Sequence, residues 1–325
     1  MRYREFGSTG VHASEVGFGL WTLATGWWGE HTDDGALALL REARELGITF
    51  FDTADTYGEG RGEILLQKAF AASDDVVVAT KFGYDIYSPW ERKGQSERPH
   101  DWTPSYIRFA LEQSLARLGR ETIDVYMLHN PRLEALQSDE IFELLEGFRT
   151  EGKIRTYGVA LGPAIGWREE GLWALGNREL GAAEIIHNAL EQDPGRDFLA
   201  AARDAGVGVM ARVPHSSGML EGRYTRDTVF PEGDHRRHRK PEWLQDGVAK
   251  VEQLGFLTGD GERTLGQAAL LWLLAHPQMT TTLPNIYDAE QLREFAAAGE
   301  LDPLSESDVA RVDELYDVNF GLTRV

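Results

Sequence analysis

Residues 76–81 read VVVATK and residues 123–129 read IDVYMLH, and these two runs decide the fold. Both are almost continuously apolar, a pattern typical of parallel strands buried on both faces. Amphipathic segments separate them from further short runs of the same kind. The strands are predicted over 15–19, 49–52, 76–81, 125–129, 156–160, 183–189, 207–213 and 279–284. Eight strands that alternate with helices over this length predict an α/β fold, a (β/α)8 TIM-type barrel.

The intervening segments carry helix signals. Segment 33–46 begins with acidic residues and stops before a glycine, and segment 103–118 opens with a Thr followed by Pro. These are typical helix boundaries. Residues 3–13, with S-T-G between alternating positions, predict a β-hairpin before the barrel. Segment 214–262 predicts a long irregular insertion, and we expect one domain over residues 1–325.

The main rival fold is a doubly wound open sheet that binds a dinucleotide. Such sheets follow their first strand with a glycine-rich turn that opens a helix. Here Gly17 and Gly19 are followed by LWTLATGWWG, which has no third glycine at a helix start. The barrel is therefore the favoured prediction.

Composition excludes several classes of protein. The chain is 42% hydrophobic with a formal net charge of −20, so we expect neither nucleic acid nor an anionic membrane as a partner. It contains no cysteine, which excludes disulfides, thiol catalysis and cysteine metal sites. The amino terminus is polar and the longest apolar run is short, so a cytoplasmic protein is predicted.

Ionisable residues end three consecutive predicted strands. Asp52, Lys81 and His129 end the second, third and fourth strands, and Tyr57 lies in the loop after Asp52. In a barrel, the carboxyl ends of the strands meet at one rim, where the chemistry of such folds takes place. Taken singly, each residue has an ordinary structural role in most proteins. Their convergence on one rim favours a catalytic site.

The chemistry of this set can be stated from the side chains. A phenol is a poor acid at neutral pH, and a neighbouring ammonium favours its ionised form. We therefore expect Lys81 to lower the pKa of Tyr57, and Asp52 to keep Lys81 charged and in place. His129 is expected to orient a carbonyl oxygen. Such a general acid needs a bound hydride carrier, because no side chain supplies hydride.

At this point the chain resembles the aldo-keto reductases over nearly its whole length. The opening YREFGSTGVHASEVGFG is similar to the hairpin that closes the bottom of their barrel. The signature segments are GITFFDTADTYGEG, VVVATKFG, IDVYMLHNP, EGKIRTYGVA, GVGVMARVPHSSGMLEGRY and TTLPNIYDAEQLREF. The resemblance implies NADP(H), with NAD(H) left open, and a small aldehyde, ketone or alcohol as substrate. It implies that Asp52, Tyr57, Lys81 and His129 are lysine partner, proton donor, pKa-lowering group and carbonyl-orienting group.

The resemblance also implies cofactor-binding positions, several of which carry unusual residues. His187 stands where the family has a Gln to the nicotinamide, and Arg212 where an aromatic ring packs on it. Ala160 and Leu161 stand where the family has Ser and Asn. The pyrophosphate loop corresponds to Pro214, Ser216, Ser217, Gly218, Met219 and Leu220.

The adenosine end departs from the family pattern as well. Asn285, Tyr287 and Gln291 are the predicted contacts there. Tyr287 replaces the basic residue that would hold the 2′-phosphate of NADPH, and Phe295 replaces an Asn that would contact adenine. The choice between NADPH and NADH therefore stays open.

Two further features allow more than one interpretation. The basic run 235–240 could hold phosphates or an acidic substrate, or be a solvated loop; no metal site is expected at His235 and His238. Five tryptophans fall in loops after strands one and three and could wall a pocket or pack within the loops: Trp21, Trp27, Trp28, Trp90 and Trp102.

Three functions are compatible with the sequence. The leading one is reduction of a carbonyl, or the reverse oxidation, by a nicotinamide cofactor. The second is a lyase, epimerase or dehydratase that uses the same Tyr, Lys and His, motivated by the unusual cofactor positions. The third is a nucleotide-sensing or interaction subunit, against which an intact acid cluster argues. Oligomeric state and substrate identity are left open.

Overall fold

A computed structural model describes residues 1–26, 29, 31–70, 73–91, 96–162, 167–232 and 234–322; at His235, His238 and Asp260 only the backbone is described. The chain opens with an antiparallel pair, β1 (Tyr3–Glu5) and β2 (His12–Ser14). Eight parallel strands follow. They are β3 (Phe18–Gly19), β4 (Phe50–Asp52), β5 (Val77–Phe82), β6 (Ile123–His129), β7 (Ile154–Ala160), β8 (Ala182–Ile186), β9 (Gly208–Arg212) and β10 (Met279–Leu283).

The eight strands pair in chain order from β3 to β10, and the first and last meet. Val16 forms a parallel bridge with Thr282, whose backbone N–H donates to the Glu15 carbonyl at 2.9 Å. The sheet is therefore closed, and the prediction of a (β/α)8 barrel preceded by a β-hairpin is confirmed. The first barrel strand is predicted to begin at residue 15, and its first two residues, Glu15 and Val16, make this closing contact.

The barrel interior is filled by small and apolar side chains, and the hairpin covers its lower end. Phe50, Val125 and Met210 belong to the interior cluster, together with Phe6 and Val11 from the hairpin. The Phe6 and Phe50 rings lie 5.4 Å apart. Because successive strand residues point to opposite faces, the other positions pack outward against the helices.

Helices follow the strands as the sequence predicts. The predicted helix over 33–46 is α2, where Thr32 caps the helix by accepting from the Gly35 N–H at 3.2 Å. The bounds are α1 (Trp21–Thr25), α2 (Asp33–Glu45), α3 (Arg61–Phe70), α4 (Pro104–Leu118), α5 (Leu133–Gln137), α6 (Asp139–Thr150), α7 (Arg168–Asn177), α8 (Gly195–Ala205), α9 (Pro241–Glu252), α10 (Leu265–Leu274), α11 (Ala289–Ala297) and α12 (Glu306–Asp317). Among the described residues, none of the helices is both long and apolar enough to cross a membrane.

Two sequence predictions need correction. The insertion 214–262 is not irregular throughout, because it contains α9. Pro241 occupies the first helical turn, where its missing N–H is tolerated, and Gly247 packs under Met219. The sixth barrel strand ends at Ile186 instead of residue 189, because the Asn188 side chain accepts from the N–H groups of Leu190 and Glu191 and closes a tight turn.

Candidate active site

A buried ammonium group lies at the centre of the rim formed by the carboxyl ends of the strands. Lys81 is fully buried, and its Nζ donates to both carboxylate oxygens of Asp52, at 2.7 and 2.6 Å, and to the Thr53 carbonyl at 2.9 Å. The Tyr57 hydroxyl is 3.5 Å from the same Nζ. The structure thus brings together three of the four predicted catalytic residues around one charge.

A second carboxylate, which the sequence analysis missed, completes the surroundings of Lys81. Glu184 on β8 is 2% exposed, and its Oε2 lies 3.1 Å from the Lys81 Nζ. Burial lowers the pKa of Lys81, but the carboxylates of Asp52 and Glu184 outweigh burial and raise that pKa above its usual range. Lys81 is therefore a fixed positive charge. The available signal was the alternation of β8, which turns Glu184 inward.

The Lys81 ammonium lowers the pKa of Tyr57 as expected, but burial outweighs this effect. Burial raises the pKa of Tyr57 to about 12, although the Lys81 ammonium lowers it. The charges of Asp52 and Glu184 raise it further, so the ammonium is largely neutralised by its own partners. Burial and Glu184 likewise raise the pKa of Asp52 to about 7, against the effect of Lys81. Tyr57 is thus a protonated phenol at neutral pH.

His129 ends β6 beside the phenol. The rings of Tyr57 and His129 meet edge to face with centroids 5.9 Å apart, and the Nδ1 of His129 is 3.5 Å from the Thr56 hydroxyl. Burial lowers the pKa of His129 well below its usual value, and the positive charge of Lys81 adds to this. His129 is therefore a neutral imidazole, which can donate one hydrogen bond to a substrate oxygen.

A row of stacked rings lies beside His129. Tyr84 contacts His129 edge to face at 5.0 Å, His100 stacks on Tyr84 at 4.0 Å, and Trp102 stacks on His100 at 4.9 Å. The His100 Nε2 donates to the His129 carbonyl at 2.9 Å, which fixes the row to β6. Of the five predicted tryptophans, Trp102 belongs to this wall, whereas Trp27 and Trp28 lie outside the described residues.

Arg212 lies at the end of β9 on the same rim. Its Nη2 donates to the Leu161 carbonyl at 2.9 Å, and its Nε is 3.6 Å from the Glu184 Oε1. About a quarter of the side chain is exposed (26%). Burial is the main cause that lowers the pKa of His129, and the positive charges of Lys81 and Arg212 lower it further. Arg212 therefore lies beside the acid cluster, and its role at the nicotinamide stays a prediction.

His187 does not reach this rim. Glu184 points inward on β8, so the residue three positions later points outward. The His187 ring packs against Trp272 at 5.1 Å and His276 at 5.4 Å, behind the barrel wall, and both of its nitrogens lack a hydrogen-bond partner. The expected contact between His187 and the nicotinamide is inconsistent with this position. Glu184 is the residue of β8 that faces the acid cluster.

The predicted pyrophosphate loop has an unusual backbone. Val213, Ser216, Ser217 and Gly218 all have positive φ angles, of 56°, 49°, 58° and 90°. A β-branched residue in that region is strained, and such strain is concentrated at functional sites. Met219 and Leu220 are buried and anchor the loop, while the Ser217 hydroxyl lies 3.4 Å from the Arg239 guanidinium. Small residues beside a cation fit an anionic group.

Arg236 and Arg239 of the basic run extend over this loop. Arg236 contacts the Tyr224 hydroxyl, which donates to the Ser217 carbonyl at 2.9 Å. A side chain at Gly218 would clash with Tyr224, so this position requires glycine. Arg236 also pairs with Asp234 at 2.5 Å. Arg236 and Arg239 therefore contact the loop region, whereas Arg237 and Lys240 are exposed.

The predicted adenosine contacts lie together after β10. The Tyr287 hydroxyl is 3.2 Å from Glu221 Oε1, and the Gln291 Nε2 donates to Glu221 Oε2 at 3.1 Å. Burial raises the pKa of Glu221 to about 7. Phe295 is fully buried against His215, with ring centroids 4.4 Å apart, so it fills the core instead of facing a ligand. Asn285 is half-buried beside this group.

Among the described residues, no group of three or more histidine, aspartate or glutamate side chains is placed to hold a metal ion. The arrangement instead suits proton transfer and anion binding. It offers a protonated phenol, a fixed ammonium, a neutral imidazole and, beyond Arg212, a loop of small residues. A nicotinamide dinucleotide fits these features, since Arg212 lies at the acid cluster and the loop can hold a pyrophosphate.

Comparisons with known proteins agree with this chemistry. The model of the Aldo/keto reductase family matches residues 15–317. The NADH-specific methylglyoxal reductase of Escherichia coli is 30% identical over 334 residues, which cover 98% of this chain and 99% of that protein. The L-glyceraldehyde 3-phosphate reductase of Escherichia coli is 28% identical, covering 97% and 92%.

Solved structures show the same architecture. The glycerol dehydrogenase from Gluconobacter oxydans is 25% identical and has a TM-score of 0.83, covering 99% of this chain and 97% of that chain. These relatives are reductases and a dehydrogenase, so a redox function is supported and the lyase, epimerase or dehydratase alternative is not. This chain belongs to the Aldo/keto reductase family and is an oxidoreductase that interconverts carbonyl compounds and alcohols with a nicotinamide cofactor.

Proposed function

We propose that this enzyme reduces a small aldehyde or ketone, or oxidises the corresponding alcohol, with Tyr57 as the proton donor. The observation that carries the proposal is the Lys81 ammonium, held by Asp52 and lying 3.5 Å from the Tyr57 hydroxyl. A phenol beside a fixed cation can lose its proton to a substrate oxygen, because the cation stabilises the phenolate that remains. Tyr57 and His129 are the proposed catalytic residues.

When bound, the reduced nicotinamide supplies the hydride that is added to the carbonyl carbon. The oxygen then carries the negative charge of an alkoxide, and Tyr57 gives it a proton. An alkoxide is a much stronger base than a phenolate, so this transfer is favourable even with the pKa of Tyr57 at about 12. His129 donates a hydrogen bond to the same oxygen, which stabilises the developing charge.

Lys81, Asp52 and Glu184 act through Tyr57 and are positioning residues. The Lys81 ammonium can donate three hydrogen bonds, and its closest acceptors are the two Asp52 oxygens and the Thr53 carbonyl. These bonds fix the Nζ near the phenol oxygen. Asp52 and Glu184 also keep the ammonium protonated, so its charge remains available when Tyr57 becomes a phenolate.

The proposed cofactor contacts follow the rim from Arg212 to the loop after β10. Arg212 would lie at the nicotinamide, and the loop at the pyrophosphate, as phosphate sites after the seventh and eighth strands do in other barrels. Arg239 supports this assignment by its contact with Ser217. The remaining contacts would come from Pro214, Ser216, Gly218, Met219, Leu220, Asn285, Tyr287 and Gln291. His187 is excluded from this set by its outward position.

The substrate we propose is a small oxygenated aldehyde or ketone. The relatives named above act on methylglyoxal, L-glyceraldehyde 3-phosphate and glycerol, which are three-carbon compounds. The row Tyr84, His100 and Trp102 lies directly beside His129 and leaves a flat wall for such a substrate. A cytoplasmic location, and the absence of nucleic-acid and membrane partners, stay predictions from the sequence.

The proposal is tested with the purified protein, NADH and NADPH, and a panel of small aldehydes and ketones. Oxidation of either nucleotide should depend on the carbonyl compound, with stoichiometric formation of the alcohol. Wild type and Arg239→Ala should be titrated with the better nucleotide by fluorescence, and the variant should bind about threefold to tenfold more weakly. Binding of neither nucleotide to the folded wild-type protein would overturn the proposal.

A further inference from the structure

One carboxylate at the adenosine end is unexplained by the proposed reaction. Glu221 is the last residue of a short helix, Met219–Glu221, at the end of the pyrophosphate loop. This loop follows β9, the seventh barrel strand. Tyr287 and Gln291 follow the eighth strand, β10. In TIM barrels these two loops form the phosphate-binding side of the rim. Glu221 is thus an acidic group in a region where a phosphate group would be expected to bind.

The position of this carboxylate is fixed by two neutral donors. The Tyr287 hydroxyl lies 3.2 and 3.3 Å from its two oxygens, and the Gln291 Nε2 donates to Oε2 at 3.1 Å. Gln291 is fully buried, and its Oε1 accepts from the Tyr287 N–H at 3.2 Å. A fixed carboxylate with neutral neighbours keeps the capacity to accept a further hydrogen bond, since its two oxygens offer about four acceptor sites.

The cations nearest to Glu221 are already paired with other carboxylates. Arg223 lies 3.1 Å from Glu294, and Arg236 lies 2.5 Å from Asp234. Each of these two guanidinium groups thus has a carboxylate of its own, and a 2′-phosphate brought beside Glu221 would meet its negative charge. A 2′-hydroxyl, in contrast, is a neutral donor that a carboxylate can accept.

We infer that Glu221 is a specificity-determining residue that makes the enzyme prefer NADH to NADPH, by accepting a hydrogen bond from the adenosine ribose and repelling a 2′-phosphate. The inference rests on the proposed function, because it assumes that a nicotinamide dinucleotide lies along this rim. Tyr287 takes part by holding the carboxylate. Tyr287 stands where the family has a basic residue. The cation expected at the 2′-phosphate is therefore missing at residue 287, and Glu221 adds an anion beside it.

The test is a fluorescence titration of three proteins with NADH and with NADPH at low salt and about pH 9, where Glu221, whose pKa is raised to about 7, is ionised. The wild-type protein should bind NADH at least about tenfold more tightly than NADPH, because the 2′-phosphate would lie against the Glu221 carboxylate. Glu221→Gln keeps the side-chain shape and removes the charge, so NADPH affinity should rise about tenfold while NADH affinity changes by less than about threefold. Glu140→Gln, an exposed position in the first turn of α6 after the fourth barrel strand, makes the same charge change and should alter neither.

The outcomes separate the two proposals. Equal affinity of the wild type for both nucleotides, or tighter binding of NADPH, overturns the inference and leaves the proposed function intact. An equal gain in NADPH affinity in Glu221→Gln and Glu140→Gln also overturns it, because the effect would then reflect net charge alone. Binding of neither nucleotide overturns the proposed function and the inference together. The wild-type comparison is decisive even where a variant fails to fold.

Discussion

The Glu184 carboxylate lies 3.1 Å from the Lys81 ammonium, which also contacts both oxygens of Asp52. Two buried carboxylates therefore hold one buried cation, and the Tyr57 hydroxyl is next to it. Burial is the main reason that the phenol remains protonated, and the charge that would lower its pKa is already balanced by these carboxylates. The predictions below follow from this balance.

The first prediction concerns the pH dependence of the two directions of catalysis. The pKa of Tyr57 is raised to about 12, so the protonated phenol required for carbonyl reduction persists throughout the neutral and mildly alkaline range. Alcohol oxidation needs the phenolate as base, whose fraction rises tenfold per pH unit below that pKa. We expect kcat/KM for oxidation to rise steeply between about pH 7 and about pH 10, with no matching loss in reduction. A plateau of oxidation near neutrality would contradict this.

The second prediction concerns Glu184→Gln. Glu184 raises the pKa of Tyr57, so removal of its charge should lower that pKa and shift the rising limb of alcohol oxidation by about one pH unit to lower pH. The control is Glu179→Gln, an exposed position just before β8. Thermal unfolding monitors the fold of both variants. Identical pH profiles for wild type and Glu184→Gln would show that Glu184 does not act on the phenol.

The third prediction concerns stability. Lys81→Met leaves the Asp52 and Glu184 carboxylates buried without a cation, which should cost about 3–5 kcal/mol of unfolding free energy at neutral pH. The pKa of Asp52 is already raised to about 7 with the ammonium beside it, and without the ammonium it rises further. The variant is therefore most stable at acid pH, where Asp52 is neutral, and it loses stability as the pH rises through and beyond neutrality.

Urea unfolding at about pH 5 and about pH 8 measures this dependence. Adding Asp52→Asn to Lys81→Met removes one of the unpaired charges and should restore part of the stability at the higher pH. A loss of stability that is the same at both pH values would mean that the cost arises from packing and not from the buried charges.

The barrel and its catalytic rim were predictable because both depend on local patterns. Continuous apolar runs such as Val77–Phe82 and Ile123–His129 mark strands buried on both faces, and the ends of such strands meet at one rim. Asp52, Lys81 and His129 lie at those ends. The extent of residues 1–325 as one domain stays a prediction.

The errors arose where a prediction depended on side-chain direction or burial. A strand has a period of two, so an assignment wrong by an odd number of residues moves a side chain to the opposite face. His187 was placed at the nicotinamide from the resemblance alone, which does not give side-chain direction, whereas Glu184 points inward towards Lys81. The effect of Lys81 on Tyr57 has the predicted sign, but burial, which the sequence does not reveal, outweighs it and raises the pKa of Tyr57.

The contact between Glu221 and Tyr287 could not be predicted from the sequence either. The two residues lie on different loops and are 66 positions apart in the chain. Neither residue carries a local pattern that points to the other. Only the closed barrel, which places the loops after β9 and β10 side by side, brings them into contact.

The central claim is that Tyr57 protonates the product of hydride transfer, and Tyr57→Phe tests it most directly. Wild type and variant, each saturated with the better nucleotide, are mixed with an excess of a reactive small aldehyde, and oxidation of the nucleotide is followed through a single turnover. The account predicts a rate at least about a thousandfold lower in the variant, with nucleotide affinity changed by less than about twofold. Equal single-turnover rates in the two proteins would contradict it.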